Sequence, residues 1–152
     1  MPIFEKRSRI AATPERVFAF HEAPDALERL TPPWEKARVV EKTGGIEAGG
    51  RVVLEAWIGP VKTRWVAEHT RYEKGRMFHD SQRSGPFRRF EHTHLMDPDG
   101  AGGCWLTDRI EYELPFGKLG EIGGGWIARR KLERMFEYRH DVTRRACEGV
   151  EG

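Results

Sequence analysis

Residues Leu119–Glu148 read LGEIGGGWIARRKLERMFEYRHDVTRRACE and contain no proline. Apolar side chains recur in this stretch at the three- and four-residue spacing of an α-helix. They are Ile122, Trp126, Ala128, Leu132, Met135, Phe136, Val142 and Ala146. At 1.5 Å per residue the helix would be roughly 40 Å long, with its charged residues on the opposite, solvated face. A helix with so long an apolar stripe needs a broad apolar surface to pack against, and we expect the preceding chain to supply it as a sheet.

Upstream of this helix, the sequence predicts one strand, two short helices and six further strands. Alternating residues at 3–11 predict the first strand. Thr13 and Pro14 are typical of a helix start, and Pro24 ends the first short helix before the second begins at Asp25. The six further strands are expected at 37–42, 51–58, 61–72, 76–83, 87–96 and 104–114. Glycine- and proline-rich turns separate them, so the sheet is antiparallel and the fold class is α+β.

Composition predicts one soluble domain spanning residues 1–152. Lys plus Arg number 26 and Asp plus Glu 24, and this balance gives no support for nucleic-acid binding. The apolar runs are too short to cross a membrane, and the first residues lack the apolar core of a signal peptide, so we expect a cytoplasmic protein. Cys104 and Cys147 have no zinc-site spacing and are interpreted as free thiols. We expect no cofactor, and the oligomeric state stays open.

Six stretches carry a resemblance to a known superfamily. They are Thr13–Phe18, Leu30–Trp34, Phe78–Gln82, Gly85–Phe87, Phe90–His94 and Asp108–Gly117. Their order resembles the SRPBCC (START-like) superfamily, in the polyketide cyclase/dehydrase-like branch that includes the module of cell-division-inhibitor-like proteins. The resemblance implies a helix-grip fold, in which a curved seven-stranded antiparallel sheet wraps around the long C-terminal helix and two short helices lie between strands 1 and 2. It also implies a deep cavity for apolar small molecules between sheet and helix, while leaving the chemistry open.

Strand phase places five polar side chains on faces that are otherwise apolar, because residues two apart share a face. The polar members are Asp80, Gln82, His92, His94 and Asp108, and their apolar companions are Phe78, Phe90, Ile110 and Tyr112. Buried polar groups are costly unless they are hydrogen-bonded. The cluster is therefore either a closed hydrogen-bond network in the core or a functional site.

Three functional interpretations of this cluster stay open. The polar groups could bind the polar end of an otherwise apolar ligand. His92 or His94 could act in acid–base catalysis with Asp80 or Asp108. The His-x-His pair with an aspartate could also bind a metal, although the pattern alone is a weak signal and we expect none. We predict binding of a lipid, polyketide or aromatic compound, with a cyclase- or dehydratase-type enzyme as the alternative.

Aromatic side chains complete the predicted pocket. Trp57, Trp65 and Trp126 would line the cavity, Trp34 would lie at its mouth, and Trp105 would lie outside it; core packing is the competing interpretation. The ligand-binding set is Trp57, Trp65, Phe78, Asp80, Gln82, Phe90, His92, His94, Asp108, Ile110, Tyr112, Ile122, Trp126, Met135 and Phe136. The arginines of the helix alternate with acidic residues, which favours a solvated face over an interaction module acting through that surface.

Overall fold

The computed structural model describes residues 2–58 and 60–149, apart from the side chains of residues 117–123. Each predicted element is present, with ends within two residues of the prediction. The elements are β1 (Ile3–Ile10), α1 (Pro14–Glu22), α2 (Ala26–Leu30), β2 (Ala37–Thr43), β3 (Arg51–Ile58), β4 (Val61–Glu73), β5 (Met77–Ser84), β6 (Arg89–Pro98), β7 (Cys104–Glu113) and α3 (Gly117–Cys147).

The strands form one antiparallel sheet in the order β1-β7-β6-β5-β4-β3-β2. Consecutive strands from β2 to β7 are neighbours because short turns join them, and β1 is added at the edge beside β7. The sheet curves around α3, which packs against β1 and β7. The short helices α1 and α2 also contact α3 and close one end of the sheet. The α+β class and the helix-grip fold are confirmed.

Local sequence signals explain where the elements begin and turn. The hydroxyl of Thr13 accepts a hydrogen bond from the backbone N–H of Arg16 at 3.2 Å, and Pro14 occupies the first helical position of α1. In the turn between β2 and β3, a Cβ atom on Gly50 would collide with the carbonyl oxygen of Gly45. This close approach of two backbone segments accounts for the glycine-rich sequence of the turn.

The core consists of two apolar clusters, which lie on opposite sides of its middle. The first cluster lies at the α1 end and contains Ile10, Val17, Phe18, Phe20, Leu30, Phe78, Met96, Cys104, Leu106 and Cys147. The second cluster lies under the middle of α3 and contains Phe4, Phe90, Ile110, Tyr112, Leu132 and Phe136. Across residues 2–58 and 60–149, no helix combines the length and the apolar composition that a membrane span requires.

Candidate functional site

A row of buried polar side chains separates the two apolar clusters. On β6, for example, His92 and His94 lie between Met96 of the first cluster and Phe90 of the second. On β1, β7 and α3 as well, a polar residue lies between residues of the first cluster and residues of the second. We call this row the polar band; its members are Ser8, Asp80, His92, His94, Asp108 and His140.

Asp108 is the centre of the polar band. Its Oδ1 accepts a hydrogen bond from Nε2 of His92 at 2.7 Å, and its Oδ2 accepts one from Nε2 of His140 at 2.6 Å. Nδ1 of His94 also lies 3.1 Å from Oδ1, although it is not aligned for a hydrogen bond. On the far side of His140, Nδ1 lies 2.8 Å from the hydroxyl oxygen of Ser8. The carboxylate of Asp108 on β7 therefore links β6 and α3 directly by hydrogen bonds, and β1 through His140.

Asp80 holds the other side of His94. Nε2 of His94 donates to Oδ2 of Asp80 at 2.9 Å, and Nδ1 of His92 lies 4.0 Å from the same oxygen. The His94 ring is packed between two others, with centroid distances of 3.8 Å to Phe78 and 3.7 Å to His92. Such packing fixes the orientation of His94, so its two nitrogens face the two aspartates.

In the polar band, burial and the hydrogen bonds between carboxylates and imidazoles shift the pKa values in opposite directions. Burial alone would raise the pKa of Asp108 and of Asp80, but the neighbouring imidazoles hold both pKa values below the ordinary range. Burial lowers the pKa of His94, yet its two carboxylate neighbours outweigh burial and the net shift is upward. The pKa of His92 is lowered by burial and by the charge of His94. These shifts favour the ionised form of both carboxylates, the protonated form of His94 and the neutral form of His92.

Two more histidines border the polar band. His21 of α1 lies with its ring 6.3 Å from that of His94, and burial lowers its pKa to about 4. His69 of β4 pairs with Asp80 across the sheet, and burial lowers its pKa as well. Nδ1 of His69 is buried without a hydrogen-bond partner in the described part of the chain. The interior therefore gathers five of the six histidines in the sequence; His79 lies beside Thr93 and Glu91 instead.

Most of the predicted apolar pocket residues are packed into the core. Phe90, Ile110, Tyr112 and Phe136 belong to the second cluster, and Phe78 belongs to the first. Trp65 and Met135 pack at the edge of the second cluster, where the Trp65 ring meets Phe90 at 4.9 Å. These side chains are therefore part of the packed core. Their ligand-binding roles, and the acid–base roles of the His and Asp residues, stay predictions.

Three of the predicted residues, Gln82, Trp57 and Trp126, lie outside this interior group. Gln82 bonds to the backbone of Phe87 through its amide N–H at 2.7 Å and so holds the β5–β6 turn. Trp126 is 71% exposed on α3. This placement corrects the expectation that Trp126 lines an inner cavity. The side chain of Ile122 lies outside the described residues.

A groove of about 270 Å³ opens between α3, β3 and the segment after α2. We call it the tryptophan groove; its lining residues are Trp34, Glu35, Lys36, Trp57, Lys131 and Arg134. The side chains of Trp34 and Trp57 are 46% and 45% exposed. The guanidinium of Arg134 lies 5.0 Å from the Trp34 ring centre. A second groove of similar volume shares Lys131 and Arg134 and extends to Trp126.

Arg139 of α3 interacts electrostatically with acidic residues of both the tryptophan groove and the polar band. Its guanidinium carbon is 5.1 Å from the centre of the Phe136 ring, whose other contacts include His92. Burial lowers its pKa, while Asp108 and Asp80 of the band and Glu35 of the groove act on its charge in the opposite direction. Nε of Arg139 is buried and has no hydrogen-bond partner among the described residues.

This fold and this histidine-rich interior can be compared with known proteins. A family profile described as polyketide cyclase/dehydrase and lipid transport matches residues 10–136, which is most of the sequence. The chain belongs to the polyketide cyclase/dehydrase and lipid transport family. The resemblance to START-like proteins that the sequence motifs indicated is thereby confirmed.

Solved structures similar to this family member share its fold at low sequence identity. A protein of Thermus thermophilus is 20% identical with a TM-score of 0.76, over 99% of this chain and 100% of the other. A nucleoside-diphosphate sugar epimerase from Corynebacterium glutamicum is 23% identical with a TM-score of 0.72, over 93% of this chain and 28% of the other. A START superfamily protein from Mycobacterium smegmatis is 14% identical with a TM-score of 0.67, over 97% and 98%. Comparison with curated sequences gives no significant match.

Membership of the polyketide cyclase/dehydrase and lipid transport family supports a ligand-binding domain. Sequence reasoning placed four members of the polar band and missed His140 and Ser8. A signal for His140 was present, because it follows Phe136 by four residues on the apolar stripe of α3. Ser8 likewise shares a strand face with Phe4 and Ile10. Both are polar residues at positions where the pattern predicts burial.

Proposed function

We propose that this member of the polyketide cyclase/dehydrase and lipid transport family binds a small apolar or aromatic molecule carrying an acidic group, in the tryptophan groove. The observation that carries the proposal is the pair of half-exposed indoles, Trp34 and Trp57, lining a concave groove with three cations. Small-molecule sites combine apolar and aromatic walls with a few polar groups that fix orientation. Exposed aromatic side chains in a groove favour binding of an apolar or aromatic body.

The charges of the groove favour an acidic ligand. Lys36, Lys131 and Arg134 line it, whereas Glu35 is the one acidic residue among its lining residues. Among the residues that the structure describes, none of these three cations has a carboxylate within ion-pair distance. Their summed charge would attract an anion and pair with it at the rim, where partial burial strengthens the interaction.

Arg139 gives the acidic group a second place to bind, deeper in the protein. Its unpartnered Nε would gain an acceptor from a carboxylate or phosphate that reached past the groove. A guanidinium suits such groups because its N–H donors can bind two oxygens at once. A volume of about 270 Å³ is near the lower end of small-molecule sites, so the groove suits a compact ligand better than a whole phospholipid.

Two fluorescent probes of similar size separate the aromatic from the acidic part of the proposal: anilinonaphthalene sulfonate, which is anionic, and N-phenylnaphthylamine, which is neutral. We expect Trp57→Ala to weaken both probes. We expect the double variant Lys131→Gln/Arg134→Gln to weaken the anionic probe by about tenfold or more and the neutral probe little. The matched control is Arg144→Gln/Arg145→Gln, which removes the same charge from the other end of α3.

The outcomes distinguish the parts of the proposal. Equal losses in the two double variants would show that long-range charge, not the groove, attracts the anionic probe. Equal affinity of the wild-type protein for both probes would contradict an acidic ligand. Unchanged binding of both probes to Trp57→Ala would place the ligand elsewhere.

A further inference from the structure

Three donor side chains of the polar band converge on one point between β5 and β6. Asp80 and His92 are directly opposite each other across the two strands, and His94 follows on the same face. One potential ligand atom from each of the three lies within 4.8 Å of the other two. We propose that Asp80, His92 and His94 form a binding site for a divalent first-row transition metal, with Asp108 as the residue that orients both imidazoles.

The position of Asp108 indicates which nitrogen of each imidazole faces away from it, toward Asp80. An ionised carboxylate only accepts, so the nitrogens facing Asp108 carry the protons. These are Nε2 of His92 at 2.7 Å and Nδ1 of His94 at 3.1 Å. The opposite nitrogens, Nδ1 of His92 and Nε2 of His94, face Oδ2 of Asp80 at 4.0 and 2.9 Å. The lone pair of His92 Nδ1 points toward this carboxylate oxygen, and so would that of His94 Nε2 once its proton is displaced.

These separations suit a bound ion. Metal–ligand bonds of about 2.1 Å at tetrahedral angles place neighbouring ligand atoms about 3.4 Å apart, and the two observed distances, 2.9 and 4.0 Å, bracket that value. Two imidazoles and a carboxylate are the donor set that Zn²⁺, Fe²⁺ and Co²⁺ accept, and three protein ligands leave a position open. A bound metal would displace the proton that His94 donates to Asp80.

The surroundings of the three residues are those of a built metal site. Metal-binding histidines usually donate their second N–H to a carboxylate or carbonyl, which fixes the ring. Asp108 accepts a hydrogen bond from Nε2 of His92 and lies 3.1 Å from Nδ1 of His94, and it is itself held by Nε2 of His140 at 2.6 Å. The rings of Phe78 and His92 pack on the two sides of His94. Little movement would therefore be needed on binding.

A separate observation shows that the protein alone does not complete this network. Nδ1 of His69 is buried without a hydrogen bond to any described group. His69 pairs with Asp80 across β4 and β5, so its unpartnered nitrogen belongs to the same row. Buried polar atoms are rarely left unpaired in native proteins, and a bound ion is one established reason for an exception.

Titration of chelator-treated full-length protein with Co²⁺ tests the proposal through the visible d–d absorption of bound cobalt. We expect one Co²⁺ per chain and its displacement by Zn²⁺. Asp108→Asn should weaken binding by about 10- to 100-fold, as for other orienting residues. Asp80→Asn and His94→Gln should weaken it further. His79→Gln is the matched control, because His79 bonds to Thr93 on β6 and lies outside the site.

Each result decides for or against the site. Loss of cobalt binding in Asp80→Asn and His94→Gln, with retention in His79→Gln, supports it. Unchanged binding in the first two variants, or no binding by the folded wild-type protein, overturns it. If circular dichroism shows a variant to be unfolded, the decision rests on wild-type NMR spectra, in which Zn²⁺ must shift the ring nitrogens of His92 and His94. The tryptophan groove takes no part in these measurements, so failure here leaves the proposed function untouched.

Discussion

The polar band and the tryptophan groove both contain ionisable groups, but they use them differently. In the band, Asp108 is buried and accepts hydrogen bonds from two histidines. In the groove, Lys36, Lys131 and Arg134 lie beside two half-exposed indoles. A charge enclosed by partners is typical of a structural or metal-binding role, whereas cations beside exposed aromatics are available to a ligand. The contrast teaches that polar residues on an apolar face do not by themselves locate the ligand site.

We expect the largest loss of stability from a substitution at Asp108, the centre of the polar band. Asp108→Asn removes the charge and turns an amide N–H₂ toward imidazole N–H groups, so we expect the free energy of unfolding to fall by about 3–5 kcal/mol. Urea denaturation with a chelator present measures the fall. Asp97→Asn, at an exposed position of β6, is the control and should change the free energy by less than about 0.5 kcal/mol. Similar values for the two variants would contradict the central role of Asp108.

Thiol reactivity sharpens the contrast without disturbing the band. Cys104 is fully buried in the first cluster, and burial raises its pKa to about 12, so little thiolate exists at pH 8. We expect iodoacetamide to modify Cys104 at least about 100-fold more slowly than a cysteine placed in the groove by Trp57→Cys. Peptide mass spectrometry follows both sites in one sample. Equal rates would mean that the interior opens as readily as the groove.

A smaller loss is expected at the outer end of the band. Ser8→Ala removes the hydroxyl that lies 2.8 Å from Nδ1 of His140 and leaves that buried nitrogen without this partner. The free energy of unfolding should fall by about 1–2 kcal/mol, which urea denaturation resolves. Thr107→Val provides a comparison on β7, the neighbouring strand. An unchanged free energy of unfolding in Ser8→Ala would show that the polar band ends at His140.

The smallest expected effect on stability is in the groove. Trp57 is 45% exposed near the end of β3, so Trp57→Ala should lower the free energy of unfolding by less than about 1 kcal/mol while weakening probe binding. Paired urea and fluorescence titrations measure both quantities. A loss as large as that of Asp108→Asn would identify Trp57 as a core residue instead.

The fold could be predicted from local sequence patterns, because the strand period, the helix period and the positions of proline depend on neighbouring residues alone. The same period brought Asp80, His92, His94 and Asp108 to one face, and the structure places them in contact. The tryptophan groove could not be predicted in this way. Its composition depends on where α3 crosses β3 and the segment after α2, which is a tertiary relation that no periodicity encodes. Trp126 shows the same limit, since its position in the helical pattern indicated burial and its side chain is exposed.

The central claim is that ligand binds in the groove and not in the polar band. The most direct test is a ¹H–¹⁵N NMR titration with anilinonaphthalene sulfonate, following the indole N–H signals. We predict large shifts for Trp34 and Trp57 and none for Trp105, which lies away from the groove. The guanidinium carbon of Arg7 is 4.2 Å from the centre of the Trp105 ring. The backbone signals of His92, His94 and Asp108 should stay in place. Shifts confined to those three residues, with Trp34 and Trp57 unmoved, would contradict the account.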